Sequence, residues 1–148
     1  MGKEIIVSSK RGHPLIDVAV GFAADEAGQG LAYAKLTVDG NQKLLRVPFR
    51  VRRYPSLLER EVSYAATTAV VTRLADLGCR RLKIEVPDSR LVEDAQAHSE
   101  LPLPLALEYV RLGCALNRFA EYYVQAGGAV AQDLTARARA EVALHVAA

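Results

Sequence analysis

The sequence contains no tryptophan and only two cysteines, and none of its hydrophobic runs approaches the length of a membrane helix. Cys79 and Cys114 stand far apart with no histidine beside them, which argues against a disulfide framework or a zinc site and favours free thiols in a reducing compartment. Because a spanning helix needs about 20 apolar residues, we expect no membrane segment. The first residues also lack the apolar run of a secretory signal, so we expect a cytoplasmic protein.

A strong excess of charge of one sign is also missing. The 19 Lys and Arg residues nearly balance the 17 Asp and Glu residues, and a net charge of +2 does not by itself imply a nucleic-acid partner. With 51% hydrophobic residues the chain is not of the disordered class, and 148 residues are about one domain's worth. We therefore predict a single domain over residues 1–148, with a polar lead-in over residues 1–14.

Three predicted strands open the chain, each with apolar side chains at alternate positions. They cover residues 16–24, 31–39 and 43–53, and the dipeptide Asp39-Gly40 is a strong hairpin signal between the second and the third. Pro48 lies within the third strand. Because proline cannot donate a hydrogen bond to a β-ladder, this strand should lie at a sheet edge.

Helices and one further strand follow. A capping box formed by Ser56 and Glu59 starts a helix that Gly78 ends. The next predicted segments are a strand at 80–86, a short helix at 88–98 and a long helix from 105 to 127.

The C-terminal segment is predicted to be the fifth strand, because its apolar residues alternate from Leu134 to Val146. Alanine and arginine favour helices intrinsically, but a helix would scatter this alternating stripe around its surface. A helical segment remains the alternative, and it would bring Asp133 and Glu141 near a site formed by the other elements.

The predicted order of elements, βββαβαβ, resembles the RNase H-like fold, in which an antiparallel meander of three strands leads into parallel strands with helical crossovers. The third strand of that fold is a sheet edge, in agreement with Pro48. The stretch SYAATTAVVTRLADLGCRRLKIEVPDSRLVEDAQ (63–96) is similar to the family's helix A, strand 4 and helix B. We therefore expect the α/β class, with a five-stranded mixed RNase H-like sheet that lacks the family's usual C-terminal helix.

The resemblance implies a nuclease centre in which three or four carboxylates hold two Mg²⁺ ions. Asp88 matches the acidic residue after strand 4, although an Asp before a helix is also a good N-cap. The acidic residue of the family's helix A falls on Ser63, which cannot replace a carboxylate ligand. Glu59 and Glu61 on the same helix are the nearest candidates.

The acidic residue of the family's first strand should fall at Ala23 or Ala24, and Asp25 is the nearest carboxylate. Asp25 also fits a simple role as a polar turn residue. The predicted catalytic residues are Asp88, Asp25, Glu59 and Glu61. Asp88 and Asp25 are the expected metal ligands, and Mg²⁺ is expected only if the chain is catalytic.

Without a final helix, one face of the predicted sheet would be open and rich in basic side chains, which could hold a phosphate backbone. The residues expected to contact nucleic acid are Arg46, Arg50, Arg52, Lys83, Arg137 and Arg139. A polar outer face that binds nothing is the alternative interpretation. Only Tyr33 and Tyr54 come close to serving as stacking platforms for bases.

Two functions of different classes are compatible with these residues. The first is an RNase H-like domain that handles nucleic acid with a degenerate or altered two-metal site; if it is an enzyme, it is a Mg-dependent nuclease. The second is a non-catalytic, homo-oligomeric scaffold that retains only the fold, since edge strands can pair across a two-fold axis.

Overall fold

The computed structural model describes residues 13–52, 58–97 and 101–147. The strands within these ranges are β1 (Leu15–Ala24), β2 (Gln29–Val38), β3 (Asn41–Arg50), β4 (Arg81–Val86) and β5 (Glu121–Ala126). The helices of the same described segments are α1 (Leu58–Asp76), α2 (Ser89–Ala97), α3 (Leu103–Leu116) and α4 (Ala129–Ala147). None of the helices in these ranges is long and apolar enough to cross a membrane. The predicted capping residue Ser56 and the predicted lead-in up to Gly12 lie outside the described residues, as does Tyr54.

All five strands form one mixed sheet in the order β3-β2-β1-β4-β5. β1, β2 and β3 form the antiparallel meander, whereas β4 and β5 run parallel to β1. The hairpin between β2 and β3 turns at Asp39 and Gly40, both with positive φ (51° and 81°), as its sequence predicts. Pro48 lies on the edge strand β3, so that prediction is confirmed as well.

The predictions for the C-terminal part need correction. The helix expected to continue to residue 127 ends at Leu116, and residues 121–126 form the fifth strand. The segment 134–146, predicted to be that strand, lies within α4, so the final helix expected to be missing is present. The order βββαβαβ is therefore confirmed through β5, and α4 follows it.

The physical reason lies in the small residues of α4. Ala131, Leu134 and Ala138 are buried against the sheet with the half-buried Val142, at spacings of three and four residues, which is a helical period. The alanines between these positions are exposed, and their small side chains are tolerated on either face of a helix. These alanines produce the alternation of apolar residues that suggested a strand. The segment is nevertheless helical, in agreement with the intrinsic helix propensity of alanine and arginine.

The face of the sheet that carries α1 holds the main core. Val18, Val20 and Ile84 are at most 2% exposed in this core, and α3 packs against α1. Leu82, Ile84 and Val86, the alternate apolar positions of β4, are all buried. Alternating large apolar side chains thus explain this half of the fold.

The opposite face is not open, because α4 packs on β1 and β2. The helix comes so close to β1 that a Cβ atom built on Gly21 would lie 2.1 Å from the backbone nitrogen of Thr135. At its other end Glu141 accepts hydrogen bonds from the Tyr33 hydroxyl and from the Arg46 guanidinium, with 2.8 Å between Arg46 Nε and Glu141 Oε2. A glycine contact and a polar cluster therefore hold α4 in place.

Candidate functional site

A cavity of about 1110 Å³ opens where the carboxyl ends of the parallel strands β1 and β4 meet the N-terminal turn of α1 and one flank of α4. In open α/β sheets this edge is where ligands commonly bind. The polar residues that line it are Asp25, Glu26, Glu59, Arg60, Ser63, Asp88, Arg90, Thr135 and Arg139. The cavity is the candidate functional site because it gathers acidic and basic side chains from four separate segments.

Three of the four predicted catalytic residues line this cavity. Asp25 follows β1, Glu59 lies in the first turn of α1, and Asp88 follows β4. Glu61 is different, because its side chain is 1% exposed and it is not among the lining residues.

Two of these carboxylates carry local structural roles. Asp25 Oδ1 accepts a hydrogen bond of 2.9 Å from the backbone N–H of Gln29, which closes the turn between β1 and β2. Asp88 Oδ1 accepts one of 2.9 Å from the backbone N–H of Arg90, as an N-cap of α2 would. Each therefore has at least one oxygen committed to its own loop.

The positions to which the resemblance assigns the family's carboxylates also line the cavity. They are Ala23 or Ala24 on β1, Ser63 on α1 and Asp88 after β4, so only one of the three is acidic. Ser63 is 1% exposed, and its Oγ is buried without a hydrogen-bond partner in the described structure. Of the positions that the resemblance implies, the cavity therefore holds one carboxylate, with alanine and serine at the other two.

Among the described residues three arginines line the cavity, and one of these three was predicted from the sequence. Arg139 comes from α4, Arg90 from the start of α2 and Arg60 from α1. No spacing in the sequence links them, since they lie 30 and 49 positions apart, and only the packing of α2 and α4 at this edge brings them together.

Arg60 is fixed by a buried network beside the cavity. Its Nη2 donates to Asp94 Oδ2 at 2.7 Å, and the Tyr64 hydroxyl donates to the same oxygen at 2.7 Å. Burial, and next the hydrogen bond to the Asp94 carboxylate, raises the pKa of Tyr64 far above its usual range. The network joins α1 to α2 and leaves Arg60 Nε buried without a partner in the described chain.

The donor set does not fit two Mg²⁺ ions. Such a centre needs several oxygen ligands within about 2.0–2.6 Å of each ion. Among residues 13–52, 58–97 and 101–147, no three His, Cys, Asp or Glu side chains are grouped closely enough to hold a metal ion. The cavity instead mixes carboxylates with arginines, and a guanidinium close to a carboxylate competes with a cation for it.

The acidic residues of the C-terminal segment do not join the cavity either. The segment is helical, which was the alternative expectation, but Asp133 is exposed and Glu141 bonds to Tyr33 and Arg46. Arg46 and Tyr33 both lower the pKa of Glu141, the hydrogen bond from Arg46 more strongly. The α4 residue nearest the start of the helix that does line the cavity is Thr135.

The predicted nucleic-acid contacts are spread over several surfaces. Arg46 and Arg50 are exposed on β3 and Arg52 just beyond it, whereas Lys83 is half-buried on β4. Arg137 and Arg139 were expected on a strand of an open face; this is wrong, because both belong to α4. The guanidinium of Arg137 lies 4.6 Å above the centre of the Tyr33 ring.

The aromatic side chains available for base stacking differ from those expected. Tyr33 is 4% exposed and is packed beneath α4. Tyr122 and Tyr123 on the edge strand β5 are exposed, and Tyr123 donates to Glu121. They were missed because the segment was predicted to be helical.

Comparisons with known proteins give the fold. The chain is similar to RNase H1 from the halophilic archaeon Halobacterium salinarum NRC-1, with a TM-score of 0.63 and 15% identity over 86% of this chain and 98% of the other. It is also similar to the N-terminal RNase H domain of a Mycobacterium tuberculosis protein, solved as a fusion with maltose-binding protein. The TM-score is 0.63, with 13% identity over 90% of this chain and 99% of the other. A third similar structure is LC11-RNase H1 in complex with an RNA/DNA hybrid, with a TM-score of 0.58 and 13% identity over 85% of this chain and 97% of the other.

Neither protein-family models nor curated proteins give a match. At 13–15% identity the likeness concerns the fold alone. Together with the strand order and the placement of the helices, it shows that the chain has the RNase H-like fold.

Proposed function

We propose that this chain is an RNase H-like domain that binds nucleic acid without a two-metal hydrolytic centre. The observation that carries the proposal is the cavity at the ends of β1 and β4, where three arginines and Ser63 accompany the remaining carboxylates. One solved neighbour of the same fold holds an RNA/DNA hybrid, which makes a duplex with phosphate oxygens the first ligand to test. The cytoplasmic location and the single domain over residues 1–148 remain parts of this proposal.

Arginine supports this function because its planar guanidinium forms paired hydrogen bonds to phosphate oxygens. Arg90 and Arg139 are exposed at the cavity, so their guanidinium groups can reach a ligand. Arg50 and Arg52 lie close by, because Val51 donates to Gly28 in the turn that also carries Asp25. The basic side chains of β3 could therefore continue the contact with a phosphate backbone beyond the cavity.

The binding test compares the double variant Arg90→Ala/Arg139→Ala with wild type on a fluorescently labelled RNA/DNA hybrid in EDTA. We expect the Kd of the double variant to rise roughly tenfold. The slope of log Kd against log salt concentration should fall by about two, because two phosphate contacts are lost. Arg118→Ala is the matched control, because Arg118 pairs with Asp76 at the far end of α1. Equal affinity of all three proteins would contradict the proposed role of the cavity.

The metal test restores the missing acidic position. We expect calorimetry to find no saturable Mg²⁺ or Mn²⁺ binding in wild type or in Asp88→Asn, whereas Ser63→Glu gains Mn²⁺ binding because the new carboxylate lies in the same cavity as Asp88 and Asp25. Ser63→Gln is the control, with the same size and no charge. The proposal would be contradicted if wild type bound metal and cleaved the hybrid, and if Asp88→Asn lost the metal binding.

A second candidate function is a non-catalytic scaffold that self-associates. The observation that favours it is an exposed row of apolar side chains on α3.

A further inference from the structure

α3 is apolar on two opposite sides. Leu105, Leu112 and Leu116 are at most 5% exposed and face the core. A second row faces away from the core, and its members are Leu103 (73% exposed), Leu107 (57%), Val110 (57%) and the exposed Cys114. Single exposed hydrophobic residues are common on protein surfaces, but a continuous row is not.

The spacing of the outer row is specific. Its members follow one another at intervals of four, three and four residues, which is the seam of a heptad repeat over about three turns. A seam of this kind packs against another helix, with knobs inserted into holes. We call Leu103, Leu107, Val110 and Cys114 the α3 seam.

The surroundings of the seam select the type of partner. Arg111 flanks it and forms an ion pair of 3.3 Å with Glu108, so this charge beside the seam is already neutralised within the chain. A surface for anionic lipid or for nucleic acid would carry several unpaired basic residues there. An ion pair that is neutral as a whole causes no repulsion between two identical surfaces.

We infer that the α3 seam is the interface of a homodimer in which two α3 helices pack antiparallel across a two-fold axis. In that arrangement Leu107 lies opposite Val110 of the other copy, and Leu103 lies opposite Cys114, so every apolar side chain meets another. On the flank Ala106 faces Gly113, and nothing lies within 4 Å of a Cβ built on Gly113. Two small residues at these positions allow the helices to approach closely.

A helix of 14 residues buries less surface than a standard stable interface, so we expect a reversible dimer with a Kd in roughly the micromolar range. Sedimentation velocity of the full chain from about 1 to 200 µM should show a shift from monomer to dimer. Leu107→Glu should raise the Kd at least about tenfold, because two-fold symmetry places the new carboxylates near one another.

Leu144→Glu is the matched control, because Leu144 is 70% exposed on α4 and lies outside the seam. A chain that stays monomeric at all concentrations would overturn the inference. A dimer that Leu107→Glu leaves unchanged would also overturn it, since the interface would lie elsewhere. Circular dichroism of both variants checks that they remain folded.

Cysteine cross-linking tests the direction of the helices. In a Cys79→Ser background, oxidation of Leu103→Cys should give a dimer linked between positions 103 and 114, because the antiparallel pair brings these positions together. In the protein that retains Leu103, Cys114 of one copy should not form a disulfide with Cys114 of the other copy. A Cys114–Cys114 disulfide in that protein would indicate parallel helices and contradict the proposed interface.

Discussion

The face of the sheet beneath α1 and the face beneath α4 are packed from different kinds of residue. Under α1, large side chains such as Val20, Leu74 and Ile84 are fully buried in one extensive core. Under α4 the buried cluster is small, and it depends on Leu134, Ala138 and the contact at Gly21. The first face tolerates adjustment among many contacts, whereas the second depends on a few close ones, so single substitutions should separate the two.

The largest effect on the α4 face is expected from Gly21→Val. The added side chain would collide with the backbone of Thr135 and Leu134, which cannot move without displacing α4. We expect a loss of about 3 kcal/mol in the free energy of unfolding, measured by urea denaturation. Gly128→Ala serves as the control, because a Cβ there meets nothing within 4 Å. An unchanged midpoint for Gly21→Val would show that α4 is not held by this contact.

Leu134→Ala and Leu74→Ala compare the two faces directly. Leu74 is 0% exposed and Leu134 is 7% exposed, so we expect losses of about 4 and about 2 kcal/mol respectively. Hydrogen exchange should show that Leu134→Ala increases exchange mainly in α4, whereas Leu74→Ala affects the whole domain. Equal effects in all elements for both variants would mean that the two faces unfold as one unit.

A smaller effect is expected from the polar contacts of the two faces. Tyr64→Phe removes the hydroxyl that donates to the buried Asp94 carboxylate, and we expect a loss of about 1–2 kcal/mol. Tyr33→Phe removes a donor to Glu141 on the α4 face, where Arg46 still pairs with that carboxylate near solvent, so its effect should be smaller. Thermal unfolding of the two variants would contradict this order if Tyr33→Phe had the lower Tm.

The smallest effect is a dependence on pH. Arg46 first and Tyr33 second lower the pKa of Glu141 in the folded chain. A carboxylate with a lowered folded pKa contributes its stability above its unfolded pKa, about 4.3, and loses it as the pH falls through the folded value. Wild type should therefore have a higher Tm than Glu141→Gln at pH 7, and the difference should vanish in acid. A difference that persists at the lowest pH would rule out this ionic contribution.

The candidate site was partly predictable from the sequence. Asp25, Glu59 and Asp88 were expected near one sheet edge because the resemblance to the RNase H-like family implies carboxylates there, and all three line the cavity. Arg60 and Arg90 were not expected at the cavity, since nothing in local spacing tells which helix flank faces it. Glu61 shows the same limit, because it lies two residues from Glu59 and yet is buried away from the cavity.

The sequence by itself determined the meander, the edge position of Pro48, α1, β4 and α2. These elements carry large apolar residues at a clear period, or a turn or proline whose backbone requirement is local. Tertiary structure decided α4, the position of β5 and the composition of the cavity. Alanine and arginine favour a helix intrinsically, but the alternating apolar pattern also fits a strand, so the close approach at Gly21 and the packing on β1 and β2 decide between the two. The cavity depends in turn on where that helix lies, which is a property of packing and not of any local pattern.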